Sequence, residues 1–152
     1  MKRFLSILLA AALVVGLAGC SSRKREPVTE EKFRTVLEGE GYALEEARQE
    51  DPACVTALQA QAQDGPAFQF YEMDTVLSGT LVFSAGVESA RQRCQDQPSR
   101  STQSTLLNRE SFSIQVSDFC FRGYRENNIV VLAVGGADSD PEIQRIFELL
   151  NG

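Results

Sequence analysis

The pattern of apolar and polar positions predicts that a first helix begins just after residue 28. Thr29 can cap this helix, and the two glutamates that follow it suit the positive end of a helix dipole. The buried stripe of the helix would consist of Phe33, Val36 and Leu37. Gly39 and Gly41 would end it. A short strand around residues 42–44 then follows.

A strong turn signal in the next part of the chain predicts a β-hairpin. Asp64 and Gly65 form the turn, and aromatic residues alternate with polar ones directly after it. We therefore predict two strands, near residues 54–62 and 66–73. The polar and acidic residues 45–52 before the hairpin are predicted to form a loop.

A longer amphipathic helix is predicted to begin at Asp74, which can act as its cap. Its apolar face would extend over five turns and contain Val76, Thr80, Phe83, Val87, Ala90 and Cys94. Residues 95–108 are rich in Ser, Thr and Gln and include Pro98. This composition predicts a long exposed loop.

The C-terminal part of the chain predicts three strands and a last helix. The first strand has an alternating apolar face made of Phe112, Ile114 and Val116. Residues 119–125 and 129–134 follow as two strands joined at residues 126–128, where asparagine tolerates left-handed geometry. Asp140 would cap a helix with Pro141 at its first position. The buried stripe of that helix would be Ile143, Ile146, Phe147 and Leu150.

This order of elements predicts a single α+β domain over residues 29–152. Consecutive hairpins make an antiparallel sheet, which we expect to contain about five strands. Two to three amphipathic helices would pack on one face of the sheet.

The first 19 residues have the three parts of an export signal: a positive start, an apolar run over residues 4–17, and small residues before Cys20. The signal ends in the string Leu17, Ala18, Gly19, Cys20. This string resembles the lipobox of bacterial lipoproteins. The resemblance implies that residues 1–19 are a signal peptide cut between Gly19 and Cys20. It also implies that Cys20 carries a thioether-linked lipid and an acyl chain of the palmitate type on its new amino group.

Residues 20–28 show no periodicity and contain three basic residues and Pro27. We expect them to form a lipidated flexible tether that holds the domain at the cell membrane, on the extracytoplasmic side of the envelope. A diacylglyceryl group would supply the two chains that stable anchoring requires. The alternative is an uncleaved transmembrane anchor, because residues 4–22 carry no charge.

Three features of the mature domain carry a second resemblance. They are the segment from Phe33 to Tyr42, the Asp64–Gly65 turn before an aromatic strand, and the closing valine-rich strand and helix. Together they are similar to small uncharacterised lipoproteins of clostridia and related Gram-positive bacteria. This resemblance implies no activity.

Composition and charge narrow the function classes. The net charge is −6, and removal of residues 1–19 would take away two basic residues and make it −8. Nucleic-acid binding requires clustered Lys and Arg, so we expect no nucleic acid as a partner. The chain has no His, which is the commonest general base and the commonest metal ligand. We therefore expect no catalytic residues, no metal and no cofactor.

Three cysteines remain after the one assigned to the lipid: Cys54, Cys94 and Cys120. Within one chain they allow at most one disulfide and leave one free thiol. Export permits a disulfide, but the pairing depends on geometry and stays open. Cys94 also fits a small buried residue of the helix core. The spacings contain no Cys-x-x-Cys, so a zinc site is not expected.

These observations favour a membrane-anchored, non-catalytic binding or interaction module whose partner is an unknown protein or envelope component. An unpaired sheet edge or an exposed apolar patch would support this hypothesis. The alternative is a small carboxylate-dependent envelope hydrolase, which requires a deep pocket with two converging acids. A solute-binding module ranks third, because the domain is small for a two-lobed cleft.

Overall fold

The computed structural model describes residues 26–49 and 51–152, which form seven strands and three helices. In chain order the elements are α1 (Glu30–Gly39), β1 (Ala43–Glu46), β2 (Cys54–Gln61), β3 (Ala67–Met73), α2 (Val76–Arg93), β4 (Arg100–Leu106), β5 (Arg109–Gln115), β6 (Cys120–Glu126), β7 (Ile129–Gly135) and α3 (Asp140–Asn151). A 3-10 turn (Ala137–Ser139) precedes α3. This arrangement confirms the predicted α+β class.

All neighbouring strands are antiparallel, and their order across the sheet is β1-β2-β3-β7-β6-β5-β4. Five of the six strand pairs therefore join strands that follow each other in the chain. The pair β3–β7 is the exception, and it joins the N-terminal strands of the sheet to the C-terminal strands. The predicted hairpin at Asp64–Gly65 is confirmed as β2 and β3.

The expected number of about five strands is wrong, and β4 is the main reason. Residues 95–108 were predicted to form a loop, yet residues 100–106 pair with β5 from Arg100–Gln115 to Leu106–Arg109. Every residue of β4 is exposed. A strand that is exposed on both sides has no buried face, so it shows no apolar alternation.

The expectation that the helices share one face of the sheet is also wrong. Val131 and Ala133 of β7 pack in one core with α1 and α3, whereas Val130 and Leu132 pack in a second core with α2. Successive side chains of a strand point to opposite faces, so the helices cover both faces. The nearly continuous apolar run over residues 129–134 is typical of a strand buried on both sides.

The larger core lies between the sheet and the pair α1 and α3, and aromatic rings fill its centre. Phe68 meets Tyr42 edge to face with ring centroids 5.2 Å apart, and Phe33 lies 5.3 Å from Phe70. Val28 is 2% exposed and belongs to this core. The domain therefore includes the last residue of the predicted tether.

The second core lies under α2. The predicted apolar face is confirmed for Phe83, Val87, Ala90 and Cys94, which are buried, but not for Val76, which is 48% exposed. The helix can approach the sheet closely because β6 carries Gly123 below it. A Cβ atom at Gly123 would lie 3.0 Å from the Phe83 ring.

Of the three predicted helix caps, the first is confirmed and the second requires a correction. The side chain of Thr29 accepts a hydrogen bond from the Lys32 N–H at 3.2 Å, which confirms the first cap. Thr75, and not Asp74, caps α2, because its hydroxyl accepts the N–H of Ser78 at 3.1 Å. Asp74 accepts a hydrogen bond from the hydroxyl of Ser78 instead.

The start of α3 requires a second correction. Ser139 occupies the cap position and makes no capping bond through its side chain. Asp140 lies inside the first turn, where its carboxylate is 3.2 Å from the Arg122 guanidinium. The negative charge still favours the helix start, but it also ties α3 to β6.

The predicted signal peptide, the lipobox and Cys20 lie outside the described residues. Within residues 26–49 and 51–152, no helix combines the length and the apolar character that crossing a membrane requires.

Candidate functional site

A groove of about 450 Å³ opens where α3 leaves part of the sheet uncovered. Helices α1 and α3 cover the large core over β1, β2, β3, β7 and β6. On the same face, β5 and β4 carry mainly polar side chains, with Leu106 as the one apolar side chain among those that line the groove, so they give a helix little apolar surface to cover. The groove therefore has the open strands as its floor and α3 as its wall.

The floor is a ladder of hydroxyl groups. It consists of Thr102, Ser104, Ser111 and Ser113. Thr102 faces Ser113 across the two strands, and their hydroxyl oxygens are 2.7 Å apart in a hydrogen bond. Ser104 faces Ser111 in the next pair on this face. The four hydroxyl groups of the ladder can donate and accept hydrogen bonds along this part of the groove.

The wall supplies one aromatic ring and several polar groups from successive turns of α3. These residues are Gln144, Phe147, Glu148 and Asn151. Phe147 is half-buried, and its ring lies 6.4 Å from that of Phe68 in the core below. The Gln144 amide donates a hydrogen bond to Glu148 at 3.1 Å. The packed ring holds the wall in place, and the exposed Gln144 and Glu148 offer polar groups to the groove, whereas the Asn151 amide donates back to the Phe147 carbonyl.

Two arginines of the groove are already paired. Arg109 donates to Glu126 at 2.5 Å, and the same carboxylate accepts a hydrogen bond from Tyr124. The bond to Glu126 raises the pKa of Arg109. Arg122 donates to Asp140. Because these guanidinium groups have carboxylate partners, the groove presents directed donors and not a strong positive field.

The lining does not contain the two converging acids that a carboxylate-dependent hydrolase requires. Its acidic residues are Glu110 and Glu148. Glu110 precedes Ser111 of the floor, so its side chain points to the opposite face, where it lies 2.6 Å from Arg125. Among the residues that line the groove, Glu148 alone brings a carboxylate to this side. In the described part of the chain, no three His, Cys, Asp or Glu residues form a group that could hold a metal.

The three cysteines of the sequence analysis are free thiols and do not form a common site. Cys120 lies in the core under α3 and Cys94 in the core under α2, so the sheet separates them. Cys54 is half-buried at the start of β2. Burial raises the pKa of Cys120 to about 11 and also raises the pKa values of Cys54 and Cys94. Protonated thiols are poor nucleophiles at neutral pH.

Next to the groove the sheet ends in an edge strand without protection. The central residues of β4, Ser101 to Thr105, include no charge, proline or glycine, and the β4–β5 pairing has no bulge. The opposite edge, β1, has four residues and carries Glu45 and Glu46. Natural sheets commonly protect their edges with short strands and charges. Sequence reasoning missed β4, although its threonines at 102 and 105 favour strands.

Comparison with known proteins identified no relative of this chain: no family model, no curated protein and no solved structure matches it.

Proposed function

We propose that this chain is a membrane-anchored lipoprotein whose extracytoplasmic domain is a non-catalytic binding module. Cys20 is the proposed lipid attachment site, and residues 1–19 are the proposed signal peptide. The proposed partner is an extended polypeptide segment that adds to the sheet along β4.

The unprotected edge of β4 carries this proposal. An edge strand directs half of its backbone N–H and C=O groups away from the sheet, and an extended peptide can pair with them. Recognition by strand addition uses these backbone bonds for affinity. The β4 edge is seven residues long, fully exposed and regular in its pairing. Its geometry is therefore suited to a strand of similar length.

The groove beside the edge supports the same proposal. Thr102, Ser104 and Leu106 of β4 line the groove and share one face of the sheet. In an added strand, every second side chain would point to this face, because side chains alternate in a strand. Polar side chains of the partner could bond to the hydroxyl ladder, and an apolar one could contact Phe147. The groove would then supply the specificity that backbone pairing lacks.

Amide hydrogen exchange tests the binding proposal. The lipidated mature protein, purified in detergent, is used to select binders from a random heptapeptide library, and the selected peptides are synthesised. We expect a bound peptide to slow amide exchange in residues 100–106 by at least about tenfold, because outward N–H groups gain partners. The β1 amides, residues 43–46, serve as the matched control and should not change.

Two outcomes contradict the binding proposal. One is that the selected peptides bind saturably but leave amide exchange in β4 unchanged. The other is that, in the absence of peptide, amide exchange in β4 becomes slower as the protein concentration rises. This result would show that two copies of this chain pair through β4.

Mass spectrometry of the native protein tests the anchor. We expect a chain that begins at Cys20 and carries additional acyl mass, whereas the Cys20→Ser variant should keep its leader. Cys54→Ser is the matched control and should be processed normally. A native polypeptide that still begins at Met1 would exclude the lipoprotein proposal.

A further inference from the structure

One end of the sheet, which we call the entry end, is where residues 26–29 join the domain. Val28 lines a shallow pocket there with Asn127 and Asn128 of the β6–β7 turn. The Asn127 N–H donates to the carbonyl of Asn108 in the β4–β5 turn at 2.9 Å. Helix α2 also starts here, because a Cβ atom on its Gly79 would lie 3.1 Å from Asn128 Cα.

Exposed apolar side chains are concentrated at the entry end. Of the eight large hydrophobic side chains that are exposed in the described residues, seven lie toward this end: six in the halves of their helices or strands that face it, and one in the β4–β5 turn. They are Val55, Val76, Leu77, Leu81, Leu106, Leu107 and Leu149. The eighth, Val134, lies at the opposite end, close to the polar turn at Asp64–Gly65. This asymmetry indicates a surface that meets an apolar partner.

Leu107 is the most exposed of these side chains, and its backbone is unusual. It is 92% exposed and has a φ of 49° at the tip of a two-residue turn. The neighbouring β6–β7 turn has the same left-handed geometry at Asn127, with a φ of 55°. Asparagine tolerates this geometry, whereas leucine does not favour it. A leucine therefore occupies a position that local conformation and solvent exposure both favour for a polar residue.

We infer that the entry end rests on the lipid bilayer, with Leu106 and Leu107 inserted among the lipids. This inference rests on the proposed lipid anchor at Cys20. Five residues, 21–25, separate that anchor from the first described residue, Glu26, so the chain takes six residue steps from one to the other. Even fully extended, six steps reach only about 20 Å. The anchor therefore keeps the exposed leucines close to a membrane, where apolar side chains leave water favourably.

The charges at the entry end show which force holds this contact. Glu30, Glu72 and Asp74 lie near it and would repel anionic headgroups. The three basic residues of the tether would attract the same headgroups, so these two sets of charges offset each other. The nearby Arg109 and Arg125 are paired with glutamates. The contact therefore depends on apolar insertion, and we expect little dependence on anionic lipid. In this orientation β4 runs away from the bilayer, and its edge remains open to a partner.

The absence of tryptophan from the chain provides a direct test. The Leu107→Trp variant would carry the only tryptophan, and Asp118→Trp would place it in an exposed turn at the opposite end. Each lipidated full-length variant is reconstituted into phosphatidylcholine vesicles with and without brominated acyl chains. We expect bromine to quench about half of the L107W emission and to leave D118W nearly unchanged, because only inserted indole meets the acyl chains. Vesicles that also contain phosphatidylglycerol should give the same quenching.

Flotation of the vesicles separates the two proposals. If the protein floats with the vesicles and neither L107W nor a second variant, L106W, is quenched, the inference is wrong and the anchor stands. If the wild-type chain does not float, the anchor proposal fails, and the inference fails with it. Equal quenching of D118W and L107W would also overturn the proposed orientation.

Discussion

The two edges of this sheet differ in almost every property that controls strand pairing. Strand β1 is four residues long, carries two glutamates and lies beside α1. Strand β4 is seven residues long, has an uncharged centre and has every side chain exposed. An edge that is short and charged resists pairing with other chains, whereas a long uncharged edge permits it. The comparison indicates that one edge is closed to partners and the other is open.

The two halves of the sheet also differ in what they contribute to stability. Leu58, Phe68 and Phe70 on the β1 side are fully buried, and each loses its contact with water on folding. Strand β4 buries no residue. The residues that could bind a partner are therefore largely separate from those that hold the fold together.

The largest effect that would test this separation concerns stability. We expect Phe68→Ala to lower the free energy of unfolding by about 3–5 kcal/mol, because it leaves a cavity in the large core. The matched variant Thr102→Ala in β4 should change it by less than about 0.5 kcal/mol. Denaturant unfolding of both variants measures the difference. Similar losses in the two variants would remove the proposed separation.

The second prediction concerns a variant in which the β4 edge carries charged side chains, as the β1 edge does. The double variant Ser101→Lys with Thr105→Lys places charges on β4, as β1 has naturally. We expect affinity for a selected peptide to fall at least about tenfold, or 1.4 kcal/mol, because an incoming strand must pack beside these charges. The uncharged pair Ser101→Thr with Thr105→Ser should keep its affinity in the same titration. Unchanged binding by the lysine variant would place the partner elsewhere.

The third prediction concerns the two turns at the entry end. Leu107→Asn should raise the free energy of unfolding by about 1 kcal/mol, because asparagine accepts the left-handed backbone more readily. The reverse change, Asn127→Leu, should lower it by a similar amount. Thermal unfolding in detergent measures both. If Leu107→Asn destabilised the protein, the leucine would contribute to folding and not to an external contact.

The effect that is smallest at neutral pH is a pH dependence within the half of the sheet that α1 and α3 cover. The pKa of Cys120 is raised from 9.0 to about 11, mainly by burial. Between about pH 9 and pH 11 the unfolded thiol ionises while the folded one keeps its proton, so the stability present below pH 9 declines as the pH rises. Cys120→Ala should flatten this decline in unfolding midpoints measured across that range. Tyr42 and Tyr71, whose pKa values are also raised, are retained in the variant and should preserve the remainder of the decline.

Local patterns were sufficient to predict most of the elements. The Asp64–Gly65 turn defined a hairpin, and the alternation of Phe112 and Ile114 defined β5. The choice between Asp74 and Thr75 as a cap could not be made from the sequence, because both side chains can accept a backbone hydrogen bond. The choice depended on the residue at which the chain leaves β3 and turns into α2.

The features that form the candidate site were the least predictable. Strand β4 has no apolar face, so only its pairing with β5 identifies it as a strand. The groove combines β4 with α3, which lie far apart in the chain, and no local pattern relates them. The presence of helices on both faces could have been inferred from the continuous apolar run of residues 129–134. A strand that is buried on one face only needs an apolar residue at every second position.

The single non-consecutive strand pair has a consequence for how the chain folds. Strands β1 to β3 form one meander and β4 to β7 another, and each can form through contacts between neighbours in the chain. Joining them requires β3 to find β7, which closes a long loop and is entropically slow. We therefore expect the rate-limiting step to be docking of two preformed halves along that seam. The β4 edge, which belongs to one of these halves, would therefore form before the two halves dock.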